Sequence, residues 1–371
     1  MKYRDVELYY QQTLDDVGTK IIDLRTTDPI SAIRLTFFGT NGGTTNKENY
    51  LNDVITKIEL VDGSDQLLSV SMKEAQAIQY RRMGKMPFMR PGESPGGAQE
   101  EQAMILFGRH LWDKEYYMDL TKFRNPQLKI TTNIAAVRAA GADGFLSGYL
   151  KVSVDLLVMQ EGAEAAKGFM MMKNVYGFTS AASGDEHIDM PMDYPYLGLL
   201  MRAYQSGHDP DHNISKMKLN CDAGKFIPFE TMVKDLYRCE ENDYGVAELR
   251  QYIYRKDAEW VHHIITHDPI VVFNPGIPGR IAGAYTAFNG QFKFNLRNFD
   301  NTPIAAEENT AIIIRGSCPH STIYIPFGIE IDPTTYFDPK AYGDIDLVLS
   351  QADPSAVALV LVQLRPYGAA A

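Results

Sequence analysis

"VITKIELVDGSDQLL" (Val54 to Leu68) and, much further along, "NISKMKLNCDAGKFI" (Asn213 to Ile227) are nearly the same phrase. Each contains I-[TS]-K-[IM]-x-L, meets a turn rich in Asp and Gly, and resumes with apolar residues. In the first, Ile58 and Leu60 fall on one side with Thr56, and Ile55, Lys57 and Glu59 on the other. In the second, Met217 and Leu219 fall with Ser215, opposite Lys216 and Lys218. A period of two with one apolar face is the pattern of a half-buried antiparallel strand. Asp62-Gly63 is a strong hairpin signal, whereas Cys221-Asp222-Ala223-Gly224 reads as a looser turn.

Working outward, the likeness extends in order. "DPISAIRLTFFG" (28–39) precedes the first copy as "YPYLGLLMRAYQSG" (194–207) precedes the second. "AMILFGRHLWDKEYYMDL" (103–120) parallels "AIIIRGSCPHSTIYIPF" (311–327). "QLKITT" parallels "DIDLVLSQ", and "LKVSVDLLVMQ" parallels "AVALVLVQL". Matches kept in the same order in both halves imply an internal duplication of an all-β unit. Short strands separated by turn signals make sandwiches, jelly rolls or barrels. The expected fold class is all-β: two tandem eight-stranded jelly rolls with inserted loops and short helices. The expected division is residues 1–165 for the first roll, 166–192 for a linker and 193–371 for the second roll. "EGAEAAKGFMMMKN" is read as a short connecting helix. A long insertion is expected at about 231–287, carrying a helix over "GVAELRQYIYRKDAEWVHHIITH".

The bulk properties agree with a folded, two-domain chain. It has 371 residues, of which 45% are hydrophobic and 22% charged. A net charge of −11 disfavours wrapping a phosphate backbone, so direct sequence-specific nucleic-acid binding is not expected. The opening "MKYRDVELYYQQ" has no apolar signal core, and no run approaches the roughly 18 apolar residues of a spanning helix. A start in the cytoplasm is expected. The cysteines, Cys221, Cys239 and Cys318, are scattered and odd in number, which gives no disulfide framework.

Candidate chemistry is sparse. His263 and His267 lie four apart, so a helix would put both on one face as a zinc site does. No Glu follows the first His, and no third ligand is evident, which leaves them weak metal candidates beside Trp260. "SGHDPDHN" (206–213) offers two His and two Asp without the spacing of a calcium loop. The adjacent pairs Glu100–Glu101, Glu240–Glu241 and Glu307–Glu308 are read as solvated charge, because neighbours point apart. Cys318-Pro-His320 places a thiol beside an imidazole, but catalytic pairs meet through the fold. No phosphate loop or nucleophile elbow occurs. No catalytic residue, cofactor-binding residue or cofactor is expected.

The strand–turn–strand "ITKIELVDGSDQLLSV" followed by "KEAQAIQY", the "NPGIPG" loop, "YIPFGIEIDPTTYFDPKAYGDIDLVLSQ" and the closing "VALVLVQLRPY" resemble the double jelly-roll major capsid proteins of tailless icosahedral viruses, the adenovirus-like lineage, many of which infect bacteria and archaea. The resemblance implies a structural protein rather than an enzyme. It implies homotrimers of pseudo-hexagonal outline that tile a shell, a penton or minor capsid protein as partner, and assembly into virions in the host cytoplasm. Relatives commonly enclose an internal membrane. Both faces of "VALVLVQL" are apolar, with Val357, Leu359 and Leu361 opposite Ala358, Val360, Val362 and Leu364, so both need cover. Two rival readings are a two-jelly-roll enzyme, such as an amidase or copper monooxygenase, and a carbohydrate-binding or spike module.

Overall fold

A computed structural model describes residues 2–367 except 44–45, 47–48, 138–143, 206, 256–259, 264–265, 274–279, 289–290, 299, 301 and 303–307. For 254–255, 260–263, 267–273, 280–288, 291–298, 308–310 and Glu241 only the backbone is described. Strands β1 (Lys2–Thr13), β2 (Val17–Asp23) and β3 (Ile30–Thr40) lead to α1 (Leu51–Val54). Then come β4 (Ile55–Asp62), β5 (Asp65–Val70), α2 (Met72–Met83), the short β6 (Met89–Arg90), β7 (Ala98–Leu106), β8 (Pro126–Asn133) and β9 (Lys151–Glu161). The second half begins with β10 (Gly168–Thr179), β11 (Gly184–Asp189), β12 (Tyr196–Tyr204), α3 (Pro210–Asn213), β13 (Ile214–Cys221), β14 (Glu230–Met232) and α4 (Val233–Tyr244). An insertion follows: β15 (Ala247–Arg255), β16 (Trp260–His263), β17 (His267–Phe273), β18 (Arg280–Phe288), β19 (Gln291–Asn298) and β20 (Glu308–Ser317). The half closes with β21 (Thr322–Pro326), β22 (Ile345–Gln351) and β23 (Ala356–Pro366).

The sheet orders repeat. In the first half β1-β9-β3-β7 faces β2-β8-β4-β5, and in the second β10-β23-β12-β21 faces β11-β22-β13-β14. The two orders superimpose strand for strand, so each half is a jelly roll and the fold is a double one. One parallel contact, Ser69 of β5 with Lys173 of β10, joins a sheet of one roll to a sheet of the other.

The quoted phrases are the corresponding hairpins. Asp62 pairs with Asp65 around Gly63, whose φ of 62° suits a residue without a Cβ. The Asp62 carboxylate accepts backbone N–H bonds from Arg124 and Asn125 at 3.1 and 2.6 Å. In the second copy Asp222, Ala223 and Gly224 all take left-handed φ values of 52°, 55° and 86°. Ile58, Leu60, Met217 and Leu219 are fully buried, as their alternation requires.

The parallels 28–39 with 194–207, "QLKITT" with "DIDLVLSQ", and "LKVSVDLLVMQ" with "AVALVLVQL" fall on the equivalent strand pairs β3/β12, β8/β22 and β9/β23. Equivalent bridges support the register of the first: Ile30 meets Met118, and Tyr196 meets Phe337. The remaining parallel is offset. "AMILFG" is β7, but "AIIIRG" is β20 inside the insertion, and the true counterpart of β7 is β21. Alternating Ile and Val runs look alike wherever they fall, so pattern alone could not separate these two strands.

Four further expectations are corrected. The stretch 166–192, read as a linker, contains β10 and β11, which pair with β23 and β22. Within it the expected connecting helix is strand, because Phe169 to Met172 are all buried against the first roll. The helix expected over 245–267 is three strands, β15 to β17. The insertion runs on past 287, to the start of β21.

Strand β23 shows how the rolls share material. Val360 and Val362 lie in the large hydrophobic cluster that fills the first roll, while Val357, Leu359 and Leu361 lie in the cluster of the second. Strand β12 divides the same way, with Leu200 on one side and Leu199 and Met201 on the other. The sheet β10-β23-β12-β21 is thus covered on both faces, one by its own roll and one by its neighbour.

Candidate functional site

Helices α2 and α4 occupy the same place in the two rolls, each directly after the fifth strand of its own. Ser71 and Glu74 form a reciprocal capping box at the start of α2: the Glu74 N–H donates to Ser71 Oγ at 3.3 Å, and the Ser71 N–H donates to Glu74 Oε2 at 2.7 Å. Gly84 ends the helix at φ 69°. The helix is nearly enveloped, with Met72, Ala77 and Tyr80 inaccessible.

Between the helices lies a buried polar strip. Arg81 Nη2 sits 2.9 Å from Glu240 Oε2, with both side chains almost fully buried. Arg81 also donates to the Thr322 carbonyl at 2.7 Å, to Thr322 Oγ1 at 2.9 Å and to the Ala77 carbonyl at 3.1 Å. Glu240 Oε1 accepts the Tyr324 N–H at 2.8 Å. Burial pushes the Glu240 carboxyl up, and the Arg81 charge opposes it.

Glu101 lies within the first roll, on β7. Its Oε1 accepts from the Leu51 N–H at 3.1 Å, and its Oε2 accepts from Asn52 Nδ2 at 2.8 Å and Gln76 Nε2 at 3.3 Å. Burial pushes its carboxyl up to about 7 while those donors pull it down. Gln76 turns its amide oxygen to His320 Nε2 at 2.8 Å, so the imidazole donates there. Burial, with the cations Lys73, Arg202 and Arg81 nearby, holds His320 well below its usual range and neutral. Arg81, Glu240, Glu101 and His320 therefore form a polar spine where the two rolls, α2 and α4 meet.

This overturns the reading of the Glu pairs as solvated charge. Glu101 and Glu240 are buried at 0% and 2% exposure. Glu307 and the side chains of Glu241 and Glu308 lie outside the described residues. The signal that could have placed Glu101 is its register: it pairs with Phe37 on β3, whose side chain points inward.

The histidine candidates are separated by the fold. His263 ends β16 and His267 begins β17, so the helical i, i+4 argument does not apply; their side chains lie outside the described residues. Cys318 and His320 do not act together: Cys318 Sγ faces the Tyr237 carbonyl at 3.9 Å, and His320 faces Gln76. In the 206–213 stretch His208 stacks on His212 at 3.9 Å, and His212 lies 3.7 Å from Asp353. Among the described residues no group of three or more His, Cys, Asp or Glu side chains is placed to hold a metal ion. None of the described helices is long and apolar enough to cross a membrane.

The insertion and the loop before β7 meet by strand-like pairing: the Tyr252 N–H donates to the Pro91 carbonyl and the Glu93 N–H to the Tyr252 carbonyl, both at 3.0 Å. The open surfaces are rich in exposed aromatic and aliphatic side chains, among them Tyr3, Tyr10, Ile21, Phe226, Ile329 and Ile331.

No family model and no curated protein matches this sequence. Solved structures do match. The major capsid protein of Sulfolobus turreted icosahedral virus superimposes with a TM-score of 0.60 at 11% identity, over 98% of this chain and 97% of that one. The major capsid protein P2 of bacteriophage PM2 gives 0.55 at 9% identity, over 98% of each chain. A chain of the PBCV-1 virus capsid gives 0.51 at 11% identity, over 98% of this chain and 93% of that one. The architecture of this chain, from its first strand to its last, is that of the double jelly-roll major capsid proteins.

Proposed function

We propose that this chain is the major structural protein of an icosahedral virus shell, built from pseudo-hexagonal homotrimers. The observation that carries the reading is the pair of unequal jelly rolls fused through a sheet buried on both faces. Two such rolls per chain let three copies supply six similar walls. Some of the buried polar residues join the rolls: Arg81 of the first bonds both Glu240 and Thr322 of the second. The full-length likeness to capsid proteins supports the same reading. The domain boundary belongs at 162–167, between β9 and β10, with each roll keeping its own eight strands. Other shell proteins at the vertices and lipid beneath the shell are partners of the kind this reading calls for.

Light scattering on the purified protein tests it, followed by electron microscopy of concentrated samples. Trimers that go on to form shells are expected. A chain that remains monomeric at high concentration would refute the proposal.

A further inference from the structure

The first roll and the insertion meet along a seam, where the chain leaving β6 lies beside β15. Gly92 and Tyr252 stand opposite each other in parallel there, joined by the Tyr252 N–H to the Pro91 carbonyl and the Glu93 N–H to the Tyr252 carbonyl. The next rung back would join the Arg250 N–H to the Met89 carbonyl and a Pro91 N–H to the Arg250 carbonyl. Proline has no N–H, so the second of those bonds cannot form. Among the described residues no backbone hydrogen bond joins the two strands on that side of Pro91. A cleft of about 320 Å³ opens instead, between Phe88, Met89 and Arg90 on one wall and Glu248, Leu249 and Arg250 on the other.

Both walls present strand edges. Tyr252 turns its backbone to the seam, so by alternation Arg250 and Glu248 do the same, while Leu249 and Gln251 face β20. On β6 the Phe88 carbonyl accepts the Gln102 N–H at 2.8 Å, so Met89, its neighbour, turns its backbone to the cleft. Met89 and Leu249 are buried, Phe88 is exposed, and Ile313 of β20 adds a half-buried apolar side chain. The rung at Gly92 and Tyr252 closes one end, so a chain that enters between the walls has to stop there.

The charge of the cleft is positive in a chain of net charge −11. Arg90 and Arg250 stand on opposite walls, and both are exposed. Arg90 lies 5.5 Å from the Tyr252 ring, and neither arginine is ion-paired with a carboxylate among the described residues. The acid on the same walls, Glu248, is already bound to Arg315 at 2.7 Å.

We infer that this cleft binds the C-terminal end of a partner polypeptide, laid along β15 as an added strand with its terminal carboxylate between Arg90 and Arg250. Each part of the ligand answers one feature of the cleft. The backbone groups of Glu248 and Arg250 form an edge on which an extended segment can pair. The closed end at Gly92 and Tyr252 calls for a chain that finishes. Two guanidinium groups without an anion suit a carboxylate, which each can bind by charge-assisted hydrogen bonds. Phe88 and Ile313 offer apolar cover to the last side chain. The inference goes beyond the shell reading and does not need it.

The test titrates the full chain into a dye-labelled hexapeptide of alternating glutamate and valine, ending in valine with a free carboxylate, and reads fluorescence anisotropy. Saturable binding is expected. It should weaken roughly tenfold or more when the same peptide carries a C-terminal amide, and equally in Arg90→Gln or Arg250→Gln. Both arginines are exposed, so these two variants are expected to melt with the wild type. Pro91→Ala restores the missing N–H, so it should close the seam, slow amide exchange at Arg250 and weaken binding to a similar degree. On the wild type the peptide should slow exchange at Glu248 and Arg250. No saturable binding at millimolar protein, or undiminished binding by the amidated peptide or by any of the three variants, overturns the inference. So does protection of Glu248 and Arg250 by self-assembly alone, which would give the cleft to a second copy. Each of these failures leaves the shell reading intact.

Discussion

Arg81 and Glu240 form an ion pair 2.9 Å long, with both side chains almost out of reach of water, although one lies on the helix of the first roll and the other on the helix of the second. Two buried charges are costly unless they satisfy each other, and here Thr322, Ala77 and Tyr324 complete the bonding. Replacing Arg81 by Ala strands the carboxylate. It should lower stability by about 3–5 kcal/mol, and a double change to Arg81→Met with Glu240→Leu should cost much less than the two single losses summed. Chemical unfolding of the four proteins checks this; strict additivity would contradict it.

Glu101 should give the fold an unusual pH slope. Its carboxyl ionises near 4.5 in an unfolded chain and at about 7 when buried. Its contribution is therefore fully present below about 4.5 and is lost as pH rises through 7, by roughly 3 kcal/mol. Glu101→Gln should flatten that part of the stability profile, measured as melting temperature between pH 4 and 8. A variant with an unchanged slope would show that the three donors to Glu101 outweigh burial.

His320 acts in the opposite sense. Burial lowers its folded value below the ordinary 6.5, so its contribution is present above 6.5 and is lost as pH falls. His320→Gln should make the chain less sensitive to mild acid than the wild type. Parallel acid-unfolding curves for the two proteins would count against it.

Opposite faces of β12 can be weighed separately. Leu200 packs between the rolls, and Met201 packs inside the second. Truncating either to Ala should cost about 2–5 kcal/mol. Leu200→Ala should also loosen one roll from the other, visible as faster amide exchange in α2, while Met201→Ala should not. Equal exchange in both variants would contradict this division.

The repeated phrase was legible because alternation is a local property: Ile58 and Leu60, or Met217 and Leu219, declare their face without reference to the rest of the chain. The doubly apolar "VALVLVQL" told of two neighbours for the same reason, and β23 has them. What local pattern could not supply was partnership. "GFMMMKN" is helical by propensity and strand by context, because its methionines are needed against the first roll. Glu101 and Glu240 look like surface charge until the donors arrive from α1, α2 and β21. Helix α2 did carry a readable signal, Ser71 followed by Glu74 with Gly84 closing.

Strand β23 also makes the two rolls one cooperative unit. It lies between β10 and β12 and contributes to both cores. Leu199 is covered inside the second roll and Leu200 by the first, so neither roll keeps a complete core without the other. A first roll expressed alone should therefore show the greasy surface that β10, β12 and β23 cover, and should aggregate or recruit chaperones. Cutting the chain between its rolls would give two sticky halves rather than two small proteins.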